Sequence, residues 1–204
     1  MTLHVSRHVR SVQDSARFPK HDRPMSSTAE RFERLSNRFS EVINGVAASA
    51  WQSESPCDGW TAIDIVRHVV ETERDFLARF DISVATGDDP VADWPTTCAA
   101  MRAVLGDPRM AARSYDGYFG PTTIAETIDT FYALDLLVHA WDLARATGQR
   151  HNEALDAADI AHARSALAPM GDVVRSPGIF GPAIDVAADA SPQDSFLAWT
   201  GRHP

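Results

Sequence analysis

Hydrophobic side chains recur every three or four residues along most of the chain, which is the spacing of one face of an α-helix. The first such stretch follows a Ser/Thr-rich start with Glu30 near its beginning, a combination typical of a helix N-terminus. The pattern predicts a first helix over about residues 28–50, with its apolar face formed by Phe32, Leu35, Phe39, Val42, Ile43 and Val46.

A second helix is predicted over residues 61–80, after the turn-rich segment SESPCDGW at 53–60. Thr61 stands at the capping position, and Asp64 stands three residues later, where a capping box requires an acidic or amide side chain. We expect a loop at 85–95 before the next helix.

A third, shorter helix is predicted over about 96–106. Residues 107–120, DPRMAARSYDGYFG, predict a loop or a small hairpin because they combine Pro, Gly and three aromatic residues. The longest helix is predicted over 121–148, with Pro121 near its start and Gly148 after its end.

Two further helices are predicted, one over about 153–169 and a short one near 191–199 in an otherwise extended tail. Four main helices with few strand signals predict an all-α, four-helix bundle with an extra C-terminal helix. We expect this domain to span residues 26–204. Residues 1–25 hold five Lys/Arg and no sustained apolar face, so we expect a disordered extension, and Met25 is an alternative start.

The composition of the chain argues against several classes of function for this domain. The 204 residues carry a formal net charge of -9, which argues against nucleic-acid binding, and no apolar run reaches the length of a membrane span. Two cysteines provide no disulfide framework, so a cytoplasmic location is expected. An exposed apolar helix face would allow a homodimer.

The segment LDLLVHAWDLARATG, residues 134–148, places polar groups on an apolar helix. On a helical wheel Asp135 falls in the middle of the apolar stripe, with His139 and Asp142 close to either side. A buried carboxylate must be neutralised, ion-paired or bound to a metal. The Asp135–His139 spacing of four can hold two ligands of one metal, or the two residues can simply pair.

A metal site needs at least a third ligand from another helix. His68 is the best candidate, although the wheel places it at the border of the apolar face of the second helix. His162 in the fifth helix is the rival.

Two other residues have alternative roles. Asp142 is predicted to act as a general base, to orient His139, or to pair with Arg145. Cys57 precedes the second helix and is either a reactive thiol near the metal or a packed loop residue.

Three segments together resemble a known family. They are SPCDGWTAIDIVRHVV, LDLLVHAWDLARATG, and the C-terminal PGIFGPAIDV followed by SPQDSFLAWTGRHP. They resemble actinobacterial relatives of mycothiol-dependent maleylpyruvate isomerase, which belong to the DinB-like superfamily of metal-binding four-helix bundles.

The resemblance implies a metal held by His68, Asp135 and His139, with Asp142 near the site and implicated in catalysis. The isomerase has a glutamate at the position of Asp135, and its second domain supplies an arginine that has no obvious counterpart in this sequence.

The predicted function is a metal-dependent, mycothiol-dependent transferase or isomerase acting on a small molecule. Its predicted partners are this small-molecule substrate and a low-molecular-weight thiol. A metal-dependent hydrolase and a non-catalytic metal- or ligand-binding module are the alternatives. The mixed nitrogen and oxygen ligands suit zinc, and also nickel, iron or manganese.

Overall fold

The first helix, α1, begins where the sequence predicts and ends sooner. In the computed structural model, which describes residues 27–175 and 180–204, Ser27 and Glu30 form a reciprocal capping box at its start. The helix ends at Asn44, and a separate 3-10 turn follows at Ala48–Ala50. The predicted end near residue 50 is wrong because Val46 continues the apolar spacing beyond Gly45, where the helix stops.

The described residues form a mostly helical bundle, which confirms the all-α class. The predicted disordered extension, residues 1–25, lies outside the described residues. The helices are α1 (Thr28–Asn44), α2 (Ala62–Ala78), α3 (Pro90–Gly106), α4 (Pro108–Ala111), α5 (Ile124–Thr127), α6 (Ala133–Ala146), α7 (Ala157–Leu167) and α8 (Pro192–Trp199).

Helix α3 begins six residues earlier than predicted. Asp89 caps it through a hydrogen bond from the Val91 amide to the Asp89 carboxylate, and Pro90 occupies the first turn. Pro95, which marked the predicted end of the loop, lies inside the helix. Its missing amide removes one hydrogen bond, but burial of Trp94 and the rest of the apolar face holds the helix together.

A hairpin precedes the central helix, as one of the two predicted alternatives. Strand β1 (Ser114–Gly117) pairs antiparallel with β2 (Gly120–Thr123). Pro121 therefore lies in β2, and not at the helix start as predicted. The helix begins at Ile124 instead, where Thr123 forms a capping box with Glu126.

The central helix is continuous from α5 to α6 through a π-helical segment, Ile128–Tyr132. A π turn contains more residues than an α turn, and such segments often occur at functional sites. It therefore rotates the side chains of α6 relative to those of α5. A wheel for a regular α-helix does not include this rotation, so it does not predict which way the side chains of α6 point.

The core lies between α1, α2, α3 and the central helix. Phe32, Phe39, Ile65, Leu136 and Leu143 are fully buried there. Within the described ranges, no helix is long and apolar enough to cross a membrane.

The C-terminal third covers one end of this bundle. Helix α7 begins at Ala157, after the Asp156 cap, and not near 153 as predicted. Helix α8 lies within the predicted range and is followed by Gly201 at φ 86°, a conformation that favours glycine. This turn directs the last four residues back towards α6.

Candidate metal centre

The structure brings the three predicted metal ligands together. His68 lies on α2, and Asp135 and His139 lie one turn apart on α6. One donor atom from each lies within 4.8 Å of the others. His68 Nε2 lies 3.7 Å from Asp135 Oδ2.

Asp135 is less buried than the helical wheel predicted. Its side chain is 35% exposed, and that of His68 is 31% exposed, whereas His139 is 7% exposed. The π-helical segment accounts for part of the difference, because it rotates Asp135 out of the apolar stripe. Asp135 instead faces a cavity beside the bundle core.

This cavity, here called the histidine cavity, has a volume of about 790 Å³. Its walls come from the loop before α2, from α2 itself, from the central helix and from the C-terminal residues Thr200–His203. The volume lies in the range of small-molecule sites. The three candidate ligands therefore open onto a space that can hold a small ligand.

An aromatic ring positions the two histidines. The Trp60 ring centroid lies 4.9 Å from that of His68 and 6.0 Å from that of His139. The two imidazoles are themselves 5.0 Å apart at an interplanar angle of 72°. Trp60 thus lines the cavity and restricts both rings, whereas Trp141 is a core residue with 1% exposure.

Asp142 is fully buried behind His139. Its Oδ2 lies 2.9 Å from His139 Nδ1, and it accepts hydrogen bonds from Arg202 at 2.9 Å and from the Cys57 thiol at 3.4 Å. The predicted pairing with Arg145 is wrong, because Arg145 pairs with Glu153 at 2.8 Å.

The surroundings of Asp142 determine its charge. Burial alone would raise the pKa of the Asp142 carboxyl, but the hydrogen bond from His139 and the positive charge of Arg202 outweigh burial and lower it. An ionised Asp142 can only accept, so His139 Nδ1 carries the proton. The lone pair on the Nε2 atom of His139 is then free to bind a metal.

Arg202 is a site residue that sequence reasoning missed. It binds Asp142 through two nitrogens, with Nε 3.2 Å from Oδ1, and also donates to the Thr200 carbonyl at 3.0 Å. It lies beyond the last helix, where no periodic pattern exists to place it. Only its position in the C-terminal segment of the resemblance could have drawn attention to it.

Cys57 does not have the reactive thiol that one prediction allowed. Burial, together with the negative charge of Asp142, raises the pKa of Cys57 to about 12. The thiol stays protonated at neutral pH and donates to Asp142. Cys57 therefore packs beside the candidate centre and supports Asp142.

His162, the rival ligand, lies in a different cluster. Its Nε2 is 2.8 Å from Asp129 Oδ2, and Asp129 also pairs with Arg31. This cluster has its charges balanced without a metal.

The donor set fits a divalent transition metal. Tetrahedral zinc with bonds of about 2.0–2.2 Å places its donor atoms roughly 3.3–3.5 Å apart. The 3.7 Å between His68 Nε2 and Asp135 Oδ2 is close to that value, and Asp135 has no arginine or lysine as ion-pair partner among the described residues. Two imidazoles and one carboxylate would be three protein ligands, which is the number that catalytic zinc sites use while keeping one position for water or substrate.

Comparison with known proteins finds relatives that match most of the chain and a family model that matches part of it. Two relatives from strains of Mycobacterium tuberculosis, Uncharacterized protein MT0763 and Uncharacterized protein Rv0738, are each 26% identical over 175 residues. The match covers 83% of this chain and 94% of each relative. No solved structure matches.

The family match includes only one of the candidate ligands. Residues 32–91, which contain His68 and precede Asp135 and His139, match the model of the mycothiol maleylpyruvate isomerase N-terminal domain. The resemblance inferred from the sequence is thus confirmed over residues 32–91, which are similar to the N-terminal domain of mycothiol maleylpyruvate isomerase.

Proposed function

We propose that this protein is a metal-dependent enzyme that acts on a small molecule with the help of a low-molecular-weight thiol such as mycothiol. The reaction is either a transfer between the thiol and the small molecule or an isomerisation of the small molecule. His68, Asp135 and His139 would hold the metal, with zinc the best fit to this ligand set and nickel, iron or manganese as alternatives. The observation that carries the proposal is the convergence of these three donors, within 4.8 Å, on a cavity of about 790 Å³.

The residues behind the ligands support this proposal. Asp142 accepts the Nδ1 proton of His139 and so directs Nε2 towards the metal position. Arg202 compensates the buried charge of Asp142. Asp142 has 0% exposure, and both of its oxygens are engaged, so we propose that it orients His139 and does not act as a general base.

The state of Cys57 supports an external thiol over the protein's own thiol. A bound divalent metal would supply the Lewis acidity that lowers the pKa of a thiol ligand to near neutrality. The protein's own nearest thiol, Cys57, has a raised pKa and hydrogen-bonds to Asp142. The family match to a mycothiol enzyme's domain further supports an external thiol.

The test is spectroscopic titration of the cobalt-loaded protein with mycothiol. We expect a thiolate-to-cobalt charge-transfer absorption that saturates with added mycothiol. The Cys57→Ser variant should give the same band, which excludes the protein's own thiol as its source.

The controls separate the metal from the thiol. His139→Ala should bind no cobalt at this centre, and an analogue of mycothiol with a hydroxyl in place of the thiol should give no band. A cobalt spectrum that mycothiol leaves unchanged would contradict thiol dependence, and wild-type protein that binds no cobalt would contradict the metal centre.

A further inference from the structure

A second cavity beside the central helix is lined by six aromatic rings. We call it the aromatic cavity; its volume is about 500 Å³. The rings come from α2, the hairpin and the π-helical segment, and they are Phe76, Tyr115, Tyr118, Phe119, Phe131 and Tyr132. Flat apolar walls of this kind favour a planar, apolar ligand.

The two cavities share a wall. Phe131 and Tyr132 line both of them, and both residues belong to the π-helical segment, three to four positions before Asp135. The aromatic cavity and the histidine cavity therefore adjoin at these side chains. This arrangement suits a reaction in which one cavity holds the thiol and the other holds its acceptor.

The hairpin tip exposes apolar surface at the mouth of the aromatic cavity. Tyr118 is 83% exposed and Phe119 is 42% exposed. Phe119 stacks on Phe131 with ring centroids 5.6 Å apart and an interplanar angle of 18°. Adjacent exposed aromatic rings beside a cavity are typical of a binding site that a ligand completes.

One positive charge in the aromatic cavity has no counterion among the described residues. The guanidinium of Arg79 lies 5.3 Å from the Tyr115 ring centroid and makes no ion pair or hydrogen bond with other described side chains. The other charged residue of the cavity is Glu126, whose carboxylate accepts hydrogen bonds from Thr122 and Thr123 at the start of α5. Arg79 is thus the group available to an anionic ligand.

From these features we infer that the aromatic cavity binds an aromatic carboxylate, with its ring among the aromatic side chains and its carboxylate on Arg79. That this ligand is the acceptor of the thiol reaction rests on the proposed function, but its binding does not require a metal. The inference adds a substrate class to the proposed reaction.

The test is calorimetric titration of metal-free wild-type protein, in the presence of a chelator, with 2-naphthoate and with its neutral analogue 2-naphthamide. We expect naphthoate to bind more tightly than naphthamide. Arg79→Gln should weaken naphthoate binding about tenfold and leave naphthamide binding unchanged, because it removes one charge-assisted contact. Phe119→Ala should weaken the binding of both ligands.

Arg113→Gln is the matched control. Arg113 also stacks on a ring, with its guanidinium carbon 5.3 Å from the Phe80 centroid, but it does not line the aromatic cavity. The control should bind naphthoate as the wild type does. Undiminished naphthoate affinity in Arg79→Gln, no naphthoate binding in the wild type, or binding that appears only when zinc is added would overturn the inference. Because the titration is metal-free, these outcomes do not depend on the metal centre.

Discussion

Two clusters of aspartate and histidine lie on the central helix and its neighbours, and they differ in how their charges are balanced. In the closed cluster, Asp129 pairs with both Arg31 and His162. In the open cluster, Asp135 forms no hydrogen-bonded ion pair with any described residue: His68 Nε2 lies 3.7 Å from its Oδ2, beyond hydrogen-bond distance. The comparison teaches that an Asp/His pair between two helices is structural where the aspartate also forms an ion pair with an arginine, and is a candidate cation site where it does not.

The largest expected difference between the clusters is in stability. Asp129→Ala removes a carboxylate that pairs with both Arg31, whose side chain is 8% exposed, and His162, and we expect a loss of about 2–3 kcal/mol. Asp135→Ala removes a half-exposed carboxylate without a close partner, and in metal-free protein it should change stability by less than about 1 kcal/mol. Chemical denaturation in chelator measures both values. Equal losses in the two variants would contradict the distinction.

The next expected effect concerns the residue behind the open cluster. Asp142→Asn removes the charge that holds the Nδ1 proton of His139, so metal affinity should fall about 10- to 100-fold. Glu153→Gln is the matched control. It breaks the ion pair that Glu153 forms with Arg145, which lies on the same helix as Asp142 but is not one of the candidate ligands. Competition with a metal-binding dye gives both affinities. A similar loss in the control would show that the effect is not specific to His139.

The smallest expected effect concerns Glu73, whose buried carboxyl has no hydrogen-bond partner among the described residues. Burial, reinforced by the charge of Asp135, raises the pKa of Glu73 well above its ordinary value. The unfolded chain therefore releases this proton at a lower pH than the folded chain does, and stability falls as pH rises above about 4.5. Glu73→Gln should remove this loss, so its Tm advantage over the wild type should grow from pH 5 to pH 8.

Glu126→Gln is the control with the opposite sign. Hydrogen bonds from Thr123 and Thr122 lower the pKa of Glu126 in the folded chain. The ionised Glu126 carboxylate therefore stabilises the fold above the pKa that Glu126 has in the unfolded chain, and this stabilisation is lost on acidification. Melting followed by circular dichroism in chelated protein measures both variants. A Tm difference for Glu73→Gln that does not change with pH would contradict the assignment of a raised pKa.

Periodicity predicts those parts of the fold that bury a single continuous face. It places α1, α2, the central helix and α8. It leaves His68 at the border of the apolar face of α2, and the grouping of His68 with Asp135 and His139 came from the family resemblance. The periodicity of α2 also indicates that one carboxyl, that of Glu73, is buried. Glu73 follows Val69 by four residues and Val70 by three, so the same spacing puts it on the apolar face of α2.

The remaining features depend on contacts that periodicity does not describe. The π-helical segment Ile128–Tyr132 changes the rotation of α6, so Asp135 lies at a cavity wall and not in the core. Arg202 reaches Asp142 from 60 residues away along the chain. Both features arise from tertiary packing, and no local pattern in the sequence specifies them.

The most direct test of the open cluster is the metal content of protein purified without an affinity tag or chelator, measured by plasma mass spectrometry. We predict about one transition metal per chain in the wild type and in His162→Ala, which alters only the closed cluster, and none in His139→Ala. Wild-type protein that contains no metal, even after incubation with zinc, nickel or manganese, would contradict the central claim, and so would equal metal content in the two variants.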